Sequence, residues 1–264
     1  MTDSASSPEQ APAPADLPEP APTGRLYVCA TPIGNLGDIT ERVVQALQSV
    51  DAVLAEDTRV TRRLLSHLNI HLPIERCDEN LLRPRLAELL KRLAAGERLA
   101  LVSDAGTPGI SDPGMELIAA CRAAGIDVEV LPGASAVLTA LVGSGFTFSA
   151  FYFGGFLPRK NNERLRLLAS LAELPAALVF YESPHRTAAS LQAISATMPA
   201  RPVSVARELT KLYEEYRVGT AAELLEALAG PATPHSLKGE VTIVIAPPAP
   251  AKTPRQHRDK YAPA

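Results

Sequence analysis

The chain has 264 residues, of which 46% are hydrophobic and 21% are charged, and its formal net charge is −3. This composition is typical of a globular protein, and the length favours two domains. No apolar run approaches the roughly 18 residues of a membrane span, and the first residues lack the pattern of a secretory signal. We therefore expect a cytoplasmic protein without a membrane partner.

The three cysteines predict no covalent framework. Cys29, Cys77 and Cys121 lie far apart and form neither a C-x-x-C pair nor a cysteine–histidine spacing of the kind that binds zinc. We expect three buried thiols and no metal site.

The two ends of the chain are predicted to be tails. Residues 1–24 contain six prolines and four acids but no Lys or Arg, and they offer too little apolar surface to fold. Residues 247–264 return to Pro and Ala and carry scattered basic residues, which predicts a flexible basic tail. The chain between them is nearly neutral, so any contact with RNA must be local.

The first predicted strand, Leu26–Ala30, runs into a loop rich in glycine and proline over Thr31–Asp38. Asp38 is the predicted cap of the helix that follows. The loop lacks G-x-G-x-x-G, and the chain contains no G-x-x-x-x-G-K-[ST], so neither a dinucleotide fingerprint nor a P-loop is supported. A ligand loop and a plain turn both remain open.

The second predicted strand, Ala52–Ala55, ends in the charged run Glu56-Asp57-Thr58-Arg59. Asp57 either caps the next helix or belongs to a site. Arg59 lies with two further arginines on the first turns of that helix, where the helix dipole favours acids. A phosphate partner for Arg59 is therefore a candidate.

The stretch Leu99–Gly114 is the most informative part of the sequence. It follows a predicted helix at 84–95, begins as a buried strand, and then becomes a loop with three glycines, two prolines and two aspartates. Pro113 is predicted to lie in the first turn of the next helix. Open α/β sheets bind ligands where strands end in such loops, although a plain connection fits the same residues.

Strand and helix patterns alternate through the rest of the chain. A strand at Asp127–Leu131 ends in the small residues of Pro132–Ala136, which suit either a ligand near the following helix or close packing. Gly143-Ser144-Gly145 is a predicted hinge. Further strands are predicted at 151–153, 177–181, 203–206, 212–218 and 241–245, and helices at 163–174, 187–196 and 221–229. The pattern predicts an α/β fold with an N-terminal domain over residues 25–143 and a C-terminal domain over residues 144–246.

Two loops of the second half carry candidates for chemistry. In the segment Gly154–Lys160, Arg159 and Lys160 suit a flap that closes on phosphate, and Phe156 is placed to stack on a base. Residues 181–186 end a strand and combine Glu182 and His185, two candidate general bases, with Arg186, a candidate phosphate anchor.

A third candidate base is Lys211, which ends the run Arg207-Glu208-Leu209-Thr210-Lys211. It either contacts phosphate or, if its pKa is lowered, accepts a proton. The residues alone do not rank Glu182, His185 and Lys211.

Seven motifs occur in order along roughly residues 24–246. They are T-P-I-G-N-L-G-D-I-T (31–40), A-E-D-T-R (55–59), the loop ending the stretch 99–114, L-P-G-A-S-A (131–136), F-Y-E-S-P-H-R (180–186), A-R-E-L-T-K (206–211) and K-G-E-V-T-I-V-I (238–245). Together they resemble the tetrapyrrole methylase-like family of S-adenosylmethionine (SAM) methyltransferases. The resemblance is closer to the branch that methylates small-subunit ribosomal RNA, because E-S-P-H-R (182–186), R-E-L-T-K (207–211) and P-R-K (158–160) resemble that branch. The loop within 99–114 also lacks the G-D-P-x-x-Y-G usual in the tetrapyrrole branch.

The resemblance implies two α/β domains with SAM bound in the cleft between them. Asp104 is expected to hold the methionine ammonium or a ribose hydroxyl of SAM. The full set of cofactor-binding positions that it implies is Pro32, Gly34, Asn35, Leu36, Ser103, Asp104, Ala105, Gly106, Ile110, Ser111, Ser135, Ala136, Tyr181, Leu209 and Glu240. The expected RNA contacts are Arg59, Arg159, Lys160 and Arg186.

The resemblance also implies a homodimer that methylates the ribose 2′-oxygen of a decoding-centre cytidine in 16S rRNA within the small ribosomal subunit. A base is expected to weaken the O–H bond of that ribose during in-line attack. A tetrapyrrole C-methyltransferase of the same fold and a non-catalytic ribosome-assembly factor are the alternatives. Failure to bind SAM would favour the assembly factor.

Overall fold

The computed structural model describes residues 24–229 and 238–249, which form two five-stranded sheets covered by helices. The predicted α/β fold is confirmed. The first sheet and its helices comprise β1 Arg25–Cys29, α1 Glu41–Ser49, β2 Ala52–Ala55, α2 Thr58–His67, β3 Ile74–Arg76, α3 Glu79–Ala94, β4 Arg98–Val102, α4 Met115–Ala123, β5 Asp127–Leu131 and α5 Ala136–Gly143. The second comprises β6 Phe151–Phe156, α6 Asn161–Leu171, β7 Ala177–Glu182, α7 Thr187–Thr197, β8 Pro202–Arg207, β9 Glu215–Thr220, α8 Ala221–Ala229 and β10 Val241–Ile245.

The first sheet is parallel, with the strand order β3-β2-β4-β1-β5. Both faces are covered, α3 and α4 packing on one and α1 and α2 on the other. This double burial explains why β2 and β4 read as continuous apolar runs. The connections from the neighbouring strands β1 and β4 run in opposite directions along the sheet, which opens a crevice at their carboxyl ends.

The second sheet is mixed, with the strand order β6-β7-β10-β8-β9. Only β6 and β7 are parallel, and β10 runs antiparallel between β7 and β8. Helices α6, α7 and α8 bury one face around Phe180, which is fully buried. The start of β10 therefore lies beside the end of β7, at the same edge of the sheet.

The other face of the second sheet is covered by α5. Val137, Ala140 and Leu141 of this helix pack against Val179 and Val244 of the sheet. Gly143 is required at the helix end, because a β-carbon there would lie 2.3 Å from the Tyr216 ring. The domain boundary at residues 143/144 stays a prediction. Helix α5, which follows the last strand of the first sheet, packs on the second sheet and so joins the two.

Several local expectations differ from the structure. Gly114 is the N-cap of α4, so Pro113 precedes the helix instead of entering its first turn. Thr40, not Asp38, caps α1, its side chain accepting a hydrogen bond from Val43 N–H at 3.3 Å. Strand β9 begins at Glu215, later than expected, because the alternating residues before it form an exposed turn.

Helix α3 begins at Glu79 rather than at residue 84, because Asp78 caps it and Pro84 is accommodated inside it. Strand β3 was not predicted, since three residues carry too little pattern. The buried thiols are confirmed, as Cys29, Cys77 and Cys121 are all free and buried.

Most of the two predicted tails lies outside the described residues. Among the residues that the structure describes, no helix has the length and apolar character needed to cross a membrane.

Candidate active site

The loops that leave β1 and β4 are held together at the crevice. Thr31 and Gly106 exchange backbone hydrogen bonds, N–H to O distances being 2.8 and 3.0 Å. The Thr31 hydroxyl also donates to the Ser103 carbonyl at 3.1 Å. Both hydroxyl residues are buried, so the two loops form one rigid floor.

The loop after β4 turns sharply above this floor. Ser111 has φ 64°, a left-handed conformation that a residue with a side chain rarely adopts. Gly114 has φ 132°, and a β-carbon there would lie 2.7 Å from the Leu101 side chain. Glycine tolerates this φ value and has no β-carbon to contact Leu101. The loop can therefore fold back over the strand and turn Ser111 towards the second sheet.

A pocket of about 330 Å³ lies between the two sheets at this point. Its volume falls in the range of small-molecule sites. Its walls are Ile33, Ala105, Gly106, Thr107, Ile110, Ser111, Asp112, Ser135, Ala136, Phe156, Tyr181, Glu182, Ser183, Pro184, Leu209, Gly239, Glu240, Val241 and Thr242. These described lining residues include three acids and no Lys, Arg or His. Glu182 and Glu240 are paired with Arg186 and Lys211, so among the described residues Asp112 is the lining acid without an ion pair.

The pocket gathers a majority of the positions expected to bind the cofactor. They are Ala105, Gly106, Ile110, Ser111, Ser135, Ala136, Tyr181, Leu209 and Glu240. Aromatic side chains close one side, since Phe156 and Tyr181 make an edge contact with ring centroids 5.6 Å apart. Phe156 remains 56% exposed, which leaves its ring free to stack on a ligand.

Six expected cofactor positions lie outside the pocket lining. They are Pro32, Gly34, Asn35, Leu36, Ser103 and Asp104. Ser103 belongs to the floor described above. The carboxylate of Asp104 instead accepts a hydrogen bond from Asp57 N–H at 3.1 Å, which ties the β4 loop to the β2 loop.

The expected cofactor loop at Gly34 and Asn35 contacts the second half of the chain. Asn35 N–H donates to the Thr210 hydroxyl at 3.1 Å, and a β-carbon at Gly34 would lie 2.5 Å from Lys211 Cγ. On the other side of this contact, Glu208 and Thr210 both have positive φ, 51° and 64°. These contacts form a clamp, by which we mean the joint between residues 34–35 and residues 208–211.

Lys211 is held by two carboxylates within the clamp. Its Nζ lies 2.8 Å from Glu208 Oε1 and 2.8 Å from Glu240 Oε2. Burial alone would lower the pKa of Lys211, but the hydrogen bonds to these carboxylates outweigh burial and leave the pKa raised. Lys211 is therefore a fixed cation, a state that does not accept a proton.

Glu182, another candidate base, is buried at the end of β7 with its side chain fully shielded. Its carboxylate accepts hydrogen bonds from Ser183 N–H at 2.8 Å, from the Ser190 hydroxyl, and from the Arg186 guanidinium at 3.2 Å. Arg186 also donates to the Leu157 carbonyl. The expected phosphate anchor Arg186 therefore points inward and links β7 to the chain after β6.

The remaining charged candidates lie at the surface. His185 is exposed and lies outside the pocket lining. Arg159 is exposed, and Lys160 Nζ lies 3.1 Å from Glu163 at the start of α6. Arg59, with its side chain 81% exposed, pairs with Asp57 at 2.6 Å. Asp57 caps α2 by accepting from Arg59 N–H, which answers the question left open by the sequence.

Three carboxylates, from Glu56, Asp104 and Asp112, face one another beside the pocket. Burial first, and then the neighbouring carboxylates of Glu56 and Asp104, raise the pKa of Asp112 to about 6. The pKa values of Glu56 and Asp104 are also raised, mainly by burial. The described residues contain no cluster of His, Cys, Asp or Glu suited to a metal ion.

A second and wider cavity, of about 900 Å³, opens from the same loop. It forms a groove between the start of α3 and the start of α4. Its walls are Glu56, Glu79, Asn80, Leu82, Arg83, Pro84, Ser111, Asp112, Pro113, Gly114, Met115 and Glu116. Ser111 and Asp112 belong to the walls of both cavities, so the pocket and the groove meet there.

Several pocket residues were not anticipated from the sequence, among them Val241, Thr242 and Asp112. Val241 and Thr242 begin β10, and they reach the pocket because β10 runs antiparallel to β7. Strand direction is not encoded in the apolar pattern of β10 itself. Asp112 lies inside the most informative stretch, but its orientation depends on the left-handed turn at Ser111.

Comparison with known proteins gives a consistent result. The profile of a family described as Tetrapyrrole (Corrin/Porphyrin) Methylases matches residues 25–225. A protein of Synechocystis named "Ribosomal RNA small subunit methyltransferase I" is 47% identical over 232 residues, covering 88% of this chain and 82% of that protein. A protein of Thermotoga maritima with the same name is 43% identical and covers 84% of this chain and 98% of its own length.

Solved structures share the fold at low identity. A cobalt precorrin-4 methyltransferase is 20% identical, with a TM-score of 0.63 over 84% of this chain and 94% of its own. A uroporphyrin-III C-methyltransferase of Thermus thermophilus, complexed with S-adenyl homocysteine, is 18% identical with a TM-score of 0.60, covering 84% of this chain and 97% of its own.

Proposed function

The chain belongs to the tetrapyrrole methylase family, among the proteins named ribosomal RNA small subunit methyltransferase I, and we propose that it methylates a cytidine ribose in small-subunit ribosomal RNA. The methyl donor is SAM, and the acceptor is the 2′-oxygen of a decoding-centre cytidine. The observation that carries the proposal is the acidic pocket between the two sheets, which opens into a groove large enough for a nucleotide.

The pocket suits SAM in charge and shape. SAM carries an ammonium and a sulfonium, and the pocket offers the carboxylate of Asp112, which has no ion pair among the described residues. The other two lining acids, Glu182 and Glu240, are already paired with Arg186 and Lys211. Phe156 and Tyr181 offer ring surfaces for the adenine, and the loops at Ala105–Gly106 and Ser135–Ala136 offer backbone groups. When bound, SAM supplies a methyl group on an already activated leaving group, so the chain itself has to orient the acceptor and accept its proton.

The groove suits the ribose and base of the target better than its phosphates. Glu56, Glu79, Asp112 and Glu116 line it, and Arg83 in the same wall pairs with Glu116 at 2.5 Å. Phosphates next to these carboxylates would be repelled. We therefore place the RNA backbone on the exposed cations outside the groove, Arg59 on α2 and Arg159 and Lys160 before α6, but not on the inward-pointing Arg186.

We also propose that the working unit is a homodimer formed through α5. Helix α5 contains no charged residue, and Leu138 and Val142, one turn apart on it, are 52% and 75% exposed. Val130 on the edge strand β5 is 51% exposed as well. Exposed apolar side chains of this kind favour a second copy of the chain as partner.

Purified protein with isotope-labelled SAM tests the function directly. Small ribosomal subunits, naked rRNA and a tetrapyrrole precursor are offered in parallel, and SAM binding is measured by calorimetry. We expect label in the small subunits. If only the tetrapyrrole is labelled, the substrate is a tetrapyrrole and not rRNA. If no substrate is labelled and SAM does not bind, the result favours a non-catalytic assembly factor.

A further inference from the structure

We propose that Asp112 accepts the proton of the ribose hydroxyl, an assignment that rests on the methyl transfer proposed above. Asp112 was not among the candidate bases of the sequence. Its position, the state of the other candidates and its surroundings each support the role.

Asp112 lies where the two cavities meet. It is in the wall of the pocket proposed for SAM and in the wall of the groove proposed for the target nucleotide. The adjoining Ser111 is held in its left-handed turn against the second sheet, where a β-carbon at Gly155 of β6 would lie 3.4 Å from Ser111 Oγ. A ribose hydroxyl in the groove and a methyl group in the pocket would therefore meet at the wall that Ser111 and Asp112 share.

The other candidate bases are either held by hydrogen bonds and ion pairs or lie outside both cavities. The Glu182 carboxylate is enclosed by Ser183, Ser190 and Arg186. Lys211 is paired with Glu208 and Glu240 and remains protonated.

Of the remaining acids and bases, Glu240 lines the pocket but is committed to the Lys211 ammonium. His185 lies in the wall of neither cavity. Among the described residues, Asp112 has no ion pair, so its carboxylate is available to a substrate hydroxyl.

The groups around Asp112 adjust its basicity. Glu56 and Asp104, in the loops after β2 and β4, lie near enough for their charges to act on Asp112, and the charge of Asp112 in turn helps to raise the pKa of Tyr181 on β7. The Ser103 hydroxyl donates instead to the Gly106 carbonyl at 3.1 Å. Burial and the two carboxylates raise the pKa of Asp112 to about 6. A carboxylate with a pKa near this value is ionised at neutral pH yet is a stronger base than an ordinary aspartate.

The proposed step balances as follows. The ribose 2′-oxygen forms a bond to the methyl carbon while the carbon–sulfur bond breaks, its electron pair returning to sulfur. The hydroxyl proton passes to Asp112 Oδ as the new bond forms. Solvent in the open groove then removes the proton and restores the carboxylate.

The test compares the wild type with Asp112→Asn and Asp112→Glu at saturating SAM and saturating small subunits. We expect Asp112→Asn to lower kcat by about 10²–10⁴-fold, because general base catalysis is lost. Wild-type kcat should rise with pH as Asp112 loses its proton, because the acid form cannot accept one. Asp112→Glu should retain that rise at a reduced rate, whereas Asp112→Asn should lose it.

The matched control is Asp127→Asn, at the opposite end of the sheet, where the aspartate pairs with Arg25 on the surface. Its kcat and pH profile should equal those of the wild type. The role of Asp112 is overturned if Asp112→Asn keeps kcat within threefold of the wild type, keeps its pH profile, or loses only SAM affinity. A wild-type protein that binds SAM but methylates no RNA would overturn the proposed function instead.

Discussion

At the scale of single residues, ion pairing distinguishes the buried charged groups that stabilise the fold from Asp112, the residue that we propose for the reaction. Glu182 and Arg186 lie close together in a motif that is typical of a catalytic site. In the structure, however, Glu182 is only 3% exposed, and the two side chains form an ion pair inside the protein. Asp112 receives no such partner. The difference is invisible in the sequence because it depends on which way each side chain turns at its strand end.

We expect Glu182→Gln to destabilise the protein by about 2–4 kcal/mol, since it leaves the Arg186 guanidinium without its buried counter-charge. Chemical denaturation measures the change. His185→Ala, three residues away and exposed, is the control and should alter the free energy of unfolding by less than about 0.5 kcal/mol. A Glu182→Gln variant as stable as the wild type but catalytically dead would assign Glu182 to the reaction.

We also expect Asp112→Asn to be more stable than the wild type at pH 7, by about 1 kcal/mol. Folding raises the pKa of Asp112, so ionising this residue opposes folding as the pH rises through about 6. The gain should shrink as the pH falls and vanish below about 4, where the carboxyl is protonated in both states. Thermal unfolding from pH 4 to pH 8 tests it, and an equal gain at every pH would point to packing instead.

At the scale of elements, the fully buried strand β2 of the first sheet was among the most predictable parts. Burial on both faces makes β2 apolar without interruption, and it occurs at the predicted bounds. Strand β5 also occurs at the predicted bounds, whereas the short, partly exposed β3 was missed. The first residues of helices were harder to predict. Asp78 caps α3, which therefore begins at Glu79, several residues before the apolar pattern that predicted the helix. The clamp was unpredictable because it joins loops that are about 175 residues apart in sequence.

The clamp leads to a prediction about Gly34. In Gly34→Ala the new β-carbon would lie 2.5 Å from Lys211 Cγ and 2.9 Å from the Leu209 carbonyl, so the two loops must separate. We expect a loss of about 1–3 kcal/mol in stability and at least a tenfold fall in kcat/KM for SAM, because Leu209 lines the pocket. Denaturation and steady-state kinetics measure both quantities.

Gly37→Ala, in the same loop, is the control for this substitution. Its β-carbon would meet only Asn35 Oδ1, at 3.2 Å, and both quantities should stay close to those of the wild type. If Gly34→Ala and Gly37→Ala had equal stability and equal kcat/KM for SAM, the clamp would contribute to neither quantity.

At the scale of the whole molecule, the proposed site lies at the junction of two sheets joined by α5. The motifs pointed to loops that line the pocket, but they gave no information about how deep each residue lies or which loops contact each other. Within the described residues, nothing covers the second apolar face of α5, where Leu138 and Val142 are exposed.

We expect Val142→Glu to convert a dimer into a monomer in size-exclusion chromatography with light scattering, since a buried charge would oppose the apolar contact. The control is Leu81→Glu, which changes an exposed side chain on α3. This variant should still have the mass of a dimer. A wild-type protein that runs as a monomer at all concentrations would contradict the proposed assembly.

Nucleoside mass spectrometry of small-subunit rRNA, after incubation with the purified protein and SAM, tests the proposed methyl transfer. We expect 2′-O-methylcytidine at a single decoding-centre position, formed by the wild type and strongly reduced in Asp112→Asn. Methyl groups on a base, or the absence of any methylated cytidine despite SAM binding, would contradict it.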